Sequence, residues 1–125
     1  MALSSLCATD IGNYAVTGSA PTAMTTPMKI SLHTGDPQTT GSSEASGGSY
    51  ARQTAAYASA SGGQNALTAT LNFTSMPAST ITHIGIWDSA GTPKFRLGSA
   101  LAASKTLASG DTLSLTAATL TVTGT

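Results

Sequence analysis

The sequence predicts an all-β domain, an antiparallel β-sandwich or small barrel preceded by a short N-terminal helix or arm. Three observations carry that expectation. Several segments alternate apolar and polar residues with a period of two, which turns one set of side chains toward a core and the other away from it. Clusters of Gly, Pro, Asp and Ser separate these segments. No helical periodicity of useful length follows residue 15, so helices cannot interleave with the strands, and sheet must pack on sheet.

Taken in order, the chain opens on a helical stretch. Leu3, Leu6, Cys7, Ile11 and Tyr14 recur at spacings of three and four, placing them on one face, with Gly12 or Gly18 available to end the helix. Gly18, Pro21 and Pro27 disfavour both helix and central strand, so residues 15–27 read as an extended connector. Residues 1–27 thus form an arm and residues 28–125 a sandwich domain. "MKISLHT" is the first strand, with Met28, Ile30 and Leu32 against Lys29, Ser31 and His33. "ALTATLNFT" is read as one further strand, Leu67, Ala69, Leu71 and Phe73 facing one way. "TITHIGIWD" is apolar on both faces and suits a central position. The "DSAGTP" turn returns the chain into "KFRLGSAL", where Phe95 and Leu97 oppose Lys94 and Arg96, and residues 81–101 therefore form a hairpin. A turn at Ser109, Gly110 and Asp111 leads into Thr-rich strands carrying Leu113, Leu115, Leu120 and Val122.

Composition narrows the function. Only 8% of residues are charged, five basic against five acidic, where about 25% is ordinary. A free monomer gains solubility from net charge, so this neutral, small-residue chain is suited to permanent contact with other chains. The cations Lys29, Arg52, Lys94, Arg96 and Lys105 are scattered singly, which argues against nucleic acid. No run approaches about 18 apolar residues and the first residues lack a signal-peptide pattern, so no membrane is expected and the chain is expected to be made in a cytoplasm. Cys7 is the single cysteine and reads as a small buried hydrophobe.

No catalytic, cofactor-binding or metal-binding residues are assigned. His33, His83, Asp36 and Asp88 could in principle assemble a base with an orienting carboxylate, but they follow no nucleophile-elbow, His-Glu-x-x-His or His-x-x-x-His spacing. Gly47 and Gly48 lack the Lys-Ser or Lys-Thr of a phosphate loop. Trp87, Tyr50 and Tyr57 are expected in the core rather than on a stacking platform.

The motifs "LHTGDPQTTG", "SGGSYARQ", "ITHIGIWDSAGTPKFRLGSAL" and "GDTLSLTAATLTVT", in that order, resemble a family of small tailed-bacteriophage virion proteins: tail-fibre-like, minor tail or head decoration proteins. The resemblance rests on Leu32, His33, Thr34, Asp36, Pro37, Gly41, Gly47, Gly48, Tyr50, Arg52, Gln53, His83, Gly85, Trp87, Asp88, Gly110 and Asp111. It implies a non-enzymatic structural protein of the virion, a β-sandwich acting in many copies. Head decoration by subunit contacts is the first expectation; a tail, tail-tip or fibre-associated role, with loops meeting a host receptor, is the alternative. The implied partners are the major capsid protein or tail proteins of the same virion and further copies of the chain, with a trimer favoured.

The candidate interface comprises Leu3, Leu6 and Ile11 of the arm with Thr39, Thr40, Ser42, Ser43 and Glu44 of the polar run between the first two strands. That run, "GDPQTTGSSEASGGS", looks like a linker. Its length of roughly 15 residues between strands is unusual unless the segment is pinned or functional. Asp36 and Pro37 are expected to fix its exit, Tyr50 to anchor its base in the core, and Arg52 to tie it down through Asp36 or Glu44.

Overall fold

In a computed structural model, residues 2–116 and 121–123 are described. β1 (Ala2–Leu3) leads into α1 (Ser5–Thr17), followed by β2 (Met28–His33), β3 (Gln53–Ala55), β4 (Gln64–Ala66), β5 (Leu71–Phe73), β6 (Ser79–Trp87), β7 (Phe95–Leu107), β8 (Leu113–Leu115) and β9 (Thr121–Thr123). The fold is all-β with one N-terminal helix.

The main sheet has five strands in the order β1-β7-β6-β2-β3, every neighbouring pair antiparallel. Two short ladders, β4-β9 and β5-β8, accompany it. Alternation on β2 and β6 gives the main sheet two distinct faces. Ile30 pairs with Ile86 and Leu32 with Ile84, and these four join Leu71, Phe73, Leu113 and Leu115 of the β5-β8 ladder, with Leu67 and Met76, in the main core. Each such side chain contributes about 1.5–3 kcal/mol by leaving water, so this layer supplies most of the drive to fold. The opposite face carries Ser31, His33, Gly85, Trp87 and Gly98, and a loop covers it.

Two register breaks on β7 alter what alternation alone predicts. Pairing passes from Ile86↔Leu97 to Trp87↔Phe95, so Arg96 is an extra residue with no partner on β6. A bulge of this kind reverses the facing of the residues beyond it. Phe95 and Leu97 consequently lie on opposite faces, and Arg96 is buried, 2% exposed, instead of facing solvent beside Lys94. The second break, from Ile81↔Lys105 to His83↔Ala100, sets Thr82 against four residues of β7. Across it Ile81 and Ile84, three residues apart, both enter the main core.

The stretch read as one strand, residues 66–74, is divided. Gln64–Ala66 pairs with β9 and Leu71–Phe73 with β8, with a bend at Thr68 and Ala69 between them. Leu67, Leu71 and Phe73 are buried as the alternation predicts, but Ala69, expected on the same face, is exposed in the bend between the two pieces. Leu120 lies outside the described residues.

The helix is capped at both ends. The Ser4 hydroxyl accepts the Cys7 N–H at 3.0 Å, and Gly18, at φ 70°, closes the last turn by donating to the Tyr14 carbonyl. Gly12 lies inside the helix. No helical residue is fully buried: Leu6 and Cys7 are half-buried, whereas Ile11 and Tyr14 face solvent. No described helix is long and apolar enough to cross a membrane.

Candidate functional site

The polar run between β2 and β3 is a built layer. It leaves β2 at His33, turns at Asp36, whose carboxylate accepts the Gln38 N–H at 2.8 Å, and folds back over the sheet. Thr34 N–H donates to the Ser43 carbonyl at 2.9 Å and Ala45 N–H to the Leu32 carbonyl at 2.8 Å, so the returning limb runs beside β2. Pro37 and Ala45 are buried.

The sheet beneath accommodates the loop because its floor is glycine. A Cβ on Gly98 would stand 2.4 Å from the Pro37 ring. One on Gly85 would meet the Ser31 hydroxyl at 2.6 Å and His33 Nε2 at 2.7 Å. From the loop side, Gly41, at φ 79°, lies so close to Trp87 that a Cβ there would come within 2.4 Å of the indole. Trp87 and Phe95 meet edge to face at 5.2 Å and form the wall.

Glu44 clamps the base of the layer. Arg52 reaches it in two parallel hydrogen bonds, Nε to Oε1 at 2.8 Å and Nη2 to Oε2 at 2.7 Å, while its guanidinium lies 3.5 Å from the Trp87 ring centroid. Tyr50 donates its hydroxyl hydrogen to Glu44 Oε1 at 2.9 Å and accepts the Leu32 N–H at 3.0 Å, with its ring stacked on Phe73. Burial alone would raise the Glu44 carboxyl, but the bonds from Arg52 and Tyr50 outweigh it and hold the group below its ordinary value. Burial pushes the Tyr50 phenol upward, so it remains a donor.

Tyr50→Phe removes one hydroxyl with two partners. The expected cost is about 1–2 kcal/mol, because the Leu32 N–H is left unpaired while Arg52 still holds Glu44. A urea melt that superimposes on that of the parent protein would show the hydroxyl to be idle.

A second charged cluster joins the arm to the sandwich. Arg96 Nη2 meets Asp88 Oδ2 at 2.7 Å and Nη1 approaches Asp10 Oδ2 of α1 at 3.5 Å. Asp88 Oδ1 accepts the N–H groups of Lys94 at 2.8 Å and Ala90 at 3.4 Å. Burial raises the Asp88 carboxyl, but the Lys94 N–H and the guanidinium overcome that and hold it below the usual carboxylate value. Thr22 of the connector donates to Asp10 at 2.9 Å, and Ser4 N–H donates to the Arg96 carbonyl at 2.8 Å. A shallow groove of about 220 Å³ above Arg96 is lined by Cys7, Ile11, Tyr14, Pro21 and Met24.

The candidate residues fall into two places. Asp36, Pro37, Glu44, Tyr50 and Arg52 gather at the loop layer, but Arg52 pairs with Glu44, and the Asp36 carboxylate bonds within its own turn. Thr39, Thr40, Ser42 and Ser43 form the exposed tip of that loop, whereas the Glu44 carboxylate is committed to internal partners. Leu3, Leu6 and Ile11 belong to the arm on the β7 side. The Asp88–Arg96 pair has no periodic signal in the sequence, because the single-residue bulge that buries Arg96 leaves none. No described group of three or more His, Cys, Asp and Glu side chains has the geometry to hold a metal. His83, half-buried, shares Nδ1 with the Thr82 hydroxyl at 2.8 Å.

Residues 2–123 match the model of a protein family described as Podophage GP4 fiber I protein gp80. No curated protein matches the chain.

Proposed function

The chain belongs to the Podophage GP4 fiber I protein gp80 family, and from that membership we propose that this virion structural protein serves as a non-enzymatic, multi-copy module of a tail fibre. The family match over nearly the whole chain carries the reading. The side-chain chemistry supports it: Glu44 pairs with Arg52 and Asp88 with Arg96, which leaves few charges on the surface for contact with other chains to desolvate.

Contact through the arm fits the same role. Leu3, Ile11, Tyr14, Val16 and Met24 are the large apolar side chains left exposed among the described residues, and all lie within the first 24 positions. In this reading they pack against other virion proteins or further copies of the chain in a homo-oligomer, and the exposed side chains of Thr39, Thr40, Ser42 and Ser43 offer a second contact on the back of the sheet.

Immunogold labelling of purified particles, with the copy number measured by quantitative mass spectrometry, tests the placement. Label on tail appendages at a few to tens of copies is expected. Label over the head at a stoichiometry near that of the coat subunit would overturn the fibre reading in favour of capsid decoration.

A further inference from the structure

We propose that His33 is an acid-sensitive latch: adding a proton to its buried imidazole releases the loop of residues 34–44 from the back of the sheet while the sandwich stays folded.

The hydrogen bonds around the ring assign every proton. His33 is 0% exposed at the end of β2. Its Nδ1 lies 2.7 Å from the Ser42 carbonyl, which can only accept, so Nδ1 carries hydrogen. Its Nε2 lies 2.7 Å from the Ser31 hydroxyl, and that oxygen already receives the Trp87 indole N–H at 2.9 Å. In a neutral ring with hydrogen on Nδ1, Nε2 can only accept, so the serine hydrogen is directed at it while the serine oxygen takes the indole N–H. The relay runs from Trp87 N–H to Ser31 O–H to Nε2, and from Nδ1–H to the loop carbonyl, and it is complete with a neutral ring.

A further proton has one place to go, Nε2, where it faces the serine hydrogen. Ser31 would have to turn its hydrogen elsewhere, and Ser31 is itself 0% exposed. The charged and titratable groups nearby give little compensation. Glu44, bridged to His33 across the returning limb, is already neutralised by Arg52 and bonded to Tyr50. Arg52 repels an imidazolium, and His83 stands directly across on β6. Asp36 accepts from its own turn, and Lys29 lies four residues back along β2, opposite Trp87. Burial, the largest influence on the ring, outweighs the Ser42 carbonyl and Glu44, which favour the charged form, and holds the pKa below the ordinary value of 6.5.

The imidazolium therefore gains by reaching water, and the loop is the weaker restraint. β2 is held by β6 from Lys29 to His33 and by β3 over Met28 to Ile30, with Ile30 and Leu32 in the main core. The loop side consists of the Ser42 carbonyl, the Thr34–Ser43 and Ala45–Leu32 backbone bonds, and Pro37 and Gly41 against Trp87, Phe95 and Gly98. Opening frees the Thr39–Ser43 tip and uncovers Trp87. Because the folded pKa is depressed, the latch contributes its full stability above about pH 6.5 and loses it as pH falls from there toward the folded value.

Amide hydrogen exchange on the full chain from pH 7.5 to 4.5, corrected for intrinsic exchange, tests this. Protection at Thr34 and Ala45, whose N–H groups bond across the returning limb, is expected to fall about tenfold per pH unit below its onset, the slope of one proton, while amides of the β2-β6 ladder keep theirs. In His33→Gln the same amides are expected to show no pH dependence over that range. As a check independent of any variant, the His33 ring resonances of the parent protein should titrate with the midpoint of loop opening. Flat loop protection in the parent protein, equal pH dependence in the variant, or a midpoint shared with loss of the whole sheet would each overturn the proposal.

Discussion

Asp88→Ala is expected to destabilise the protein by about 3–5 kcal/mol, measured as a shift in the midpoint of chemical denaturation. Asp88 is 1% exposed and Arg96 2%. Removing the carboxylate strands a buried guanidinium whose remaining acidic neighbour, Asp10, stands at 3.5 Å. That uncompensated charge sets the magnitude, since the intact pair recovers little more than its own desolvation. The Lys94 and Ala90 N–H groups that fix the hairpin turn lose their acceptor in the same step. A double replacement, Asp88→Ala with Arg96→Met, removes both charges and should recover much of the loss. A double variant as unstable as Asp88→Ala would show that the turn hydrogen bonds dominate.

Gly98→Val is expected to cost about 3 kcal/mol, at the upper end for forcing extra carbon into a packed site. Its Cβ would sit 2.4 Å from the Pro37 ring, 3.1 Å from Phe95 and 3.3 Å from the Ile84 carbonyl. The sheet backbone cannot retreat, so the loop must lift. Gly12→Ala is the matching control: nothing lies within 4 Å of its Cβ, and a helix-interior alanine should stabilise by up to about 1 kcal/mol. If Gly98→Val melts with the parent protein, the loop is not packed on the sheet.

Much of the fold is legible in the sequence because burial on one face writes itself as alternation. β2, β6 and β8 can be placed from Ile30 and Leu32, Ile84 and Ile86, and Leu113 and Leu115. What escapes are events one residue long. Arg96 looks solvent-facing beside Lys94 until a bulge turns it inward. Leu67 to Phe73 looks continuous because its buried side chains remain in step across a change of partner. The helix shows a different gap: the spacing of Leu6, Ile11 and Tyr14 defines a face, but spacing carries no information on what covers it.

The loop layer is intermediate. Arg52 is the one cation on the limb that closes the loop, so the chain's scarcity of charge reduces its possible ties to Asp36 and Glu44, and the structure makes the one with Glu44. The four-membered relay from Trp87 through Ser31 and His33 to Ser42 is hidden for another reason. Its members are separated by up to 56 residues in sequence and are ordinary as residue types.

The junction at Arg96 also has a mechanical meaning. Tension applied to the arm meets two β1-β7 ladder pairs, the Ser4–Arg96 backbone bond and the Asp10–Arg96 contact, all ending on one short piece of β7. Load on the helix therefore enters the central β6-β7 hairpin at Arg96, which the buried Asp88 carboxylate braces from behind, while the connector is tied separately to the turn after β6 through Ser89 and the Thr25 carbonyl. A fibre built from such modules would yield first by peeling the arm at that junction, leaving each sandwich intact to re-engage.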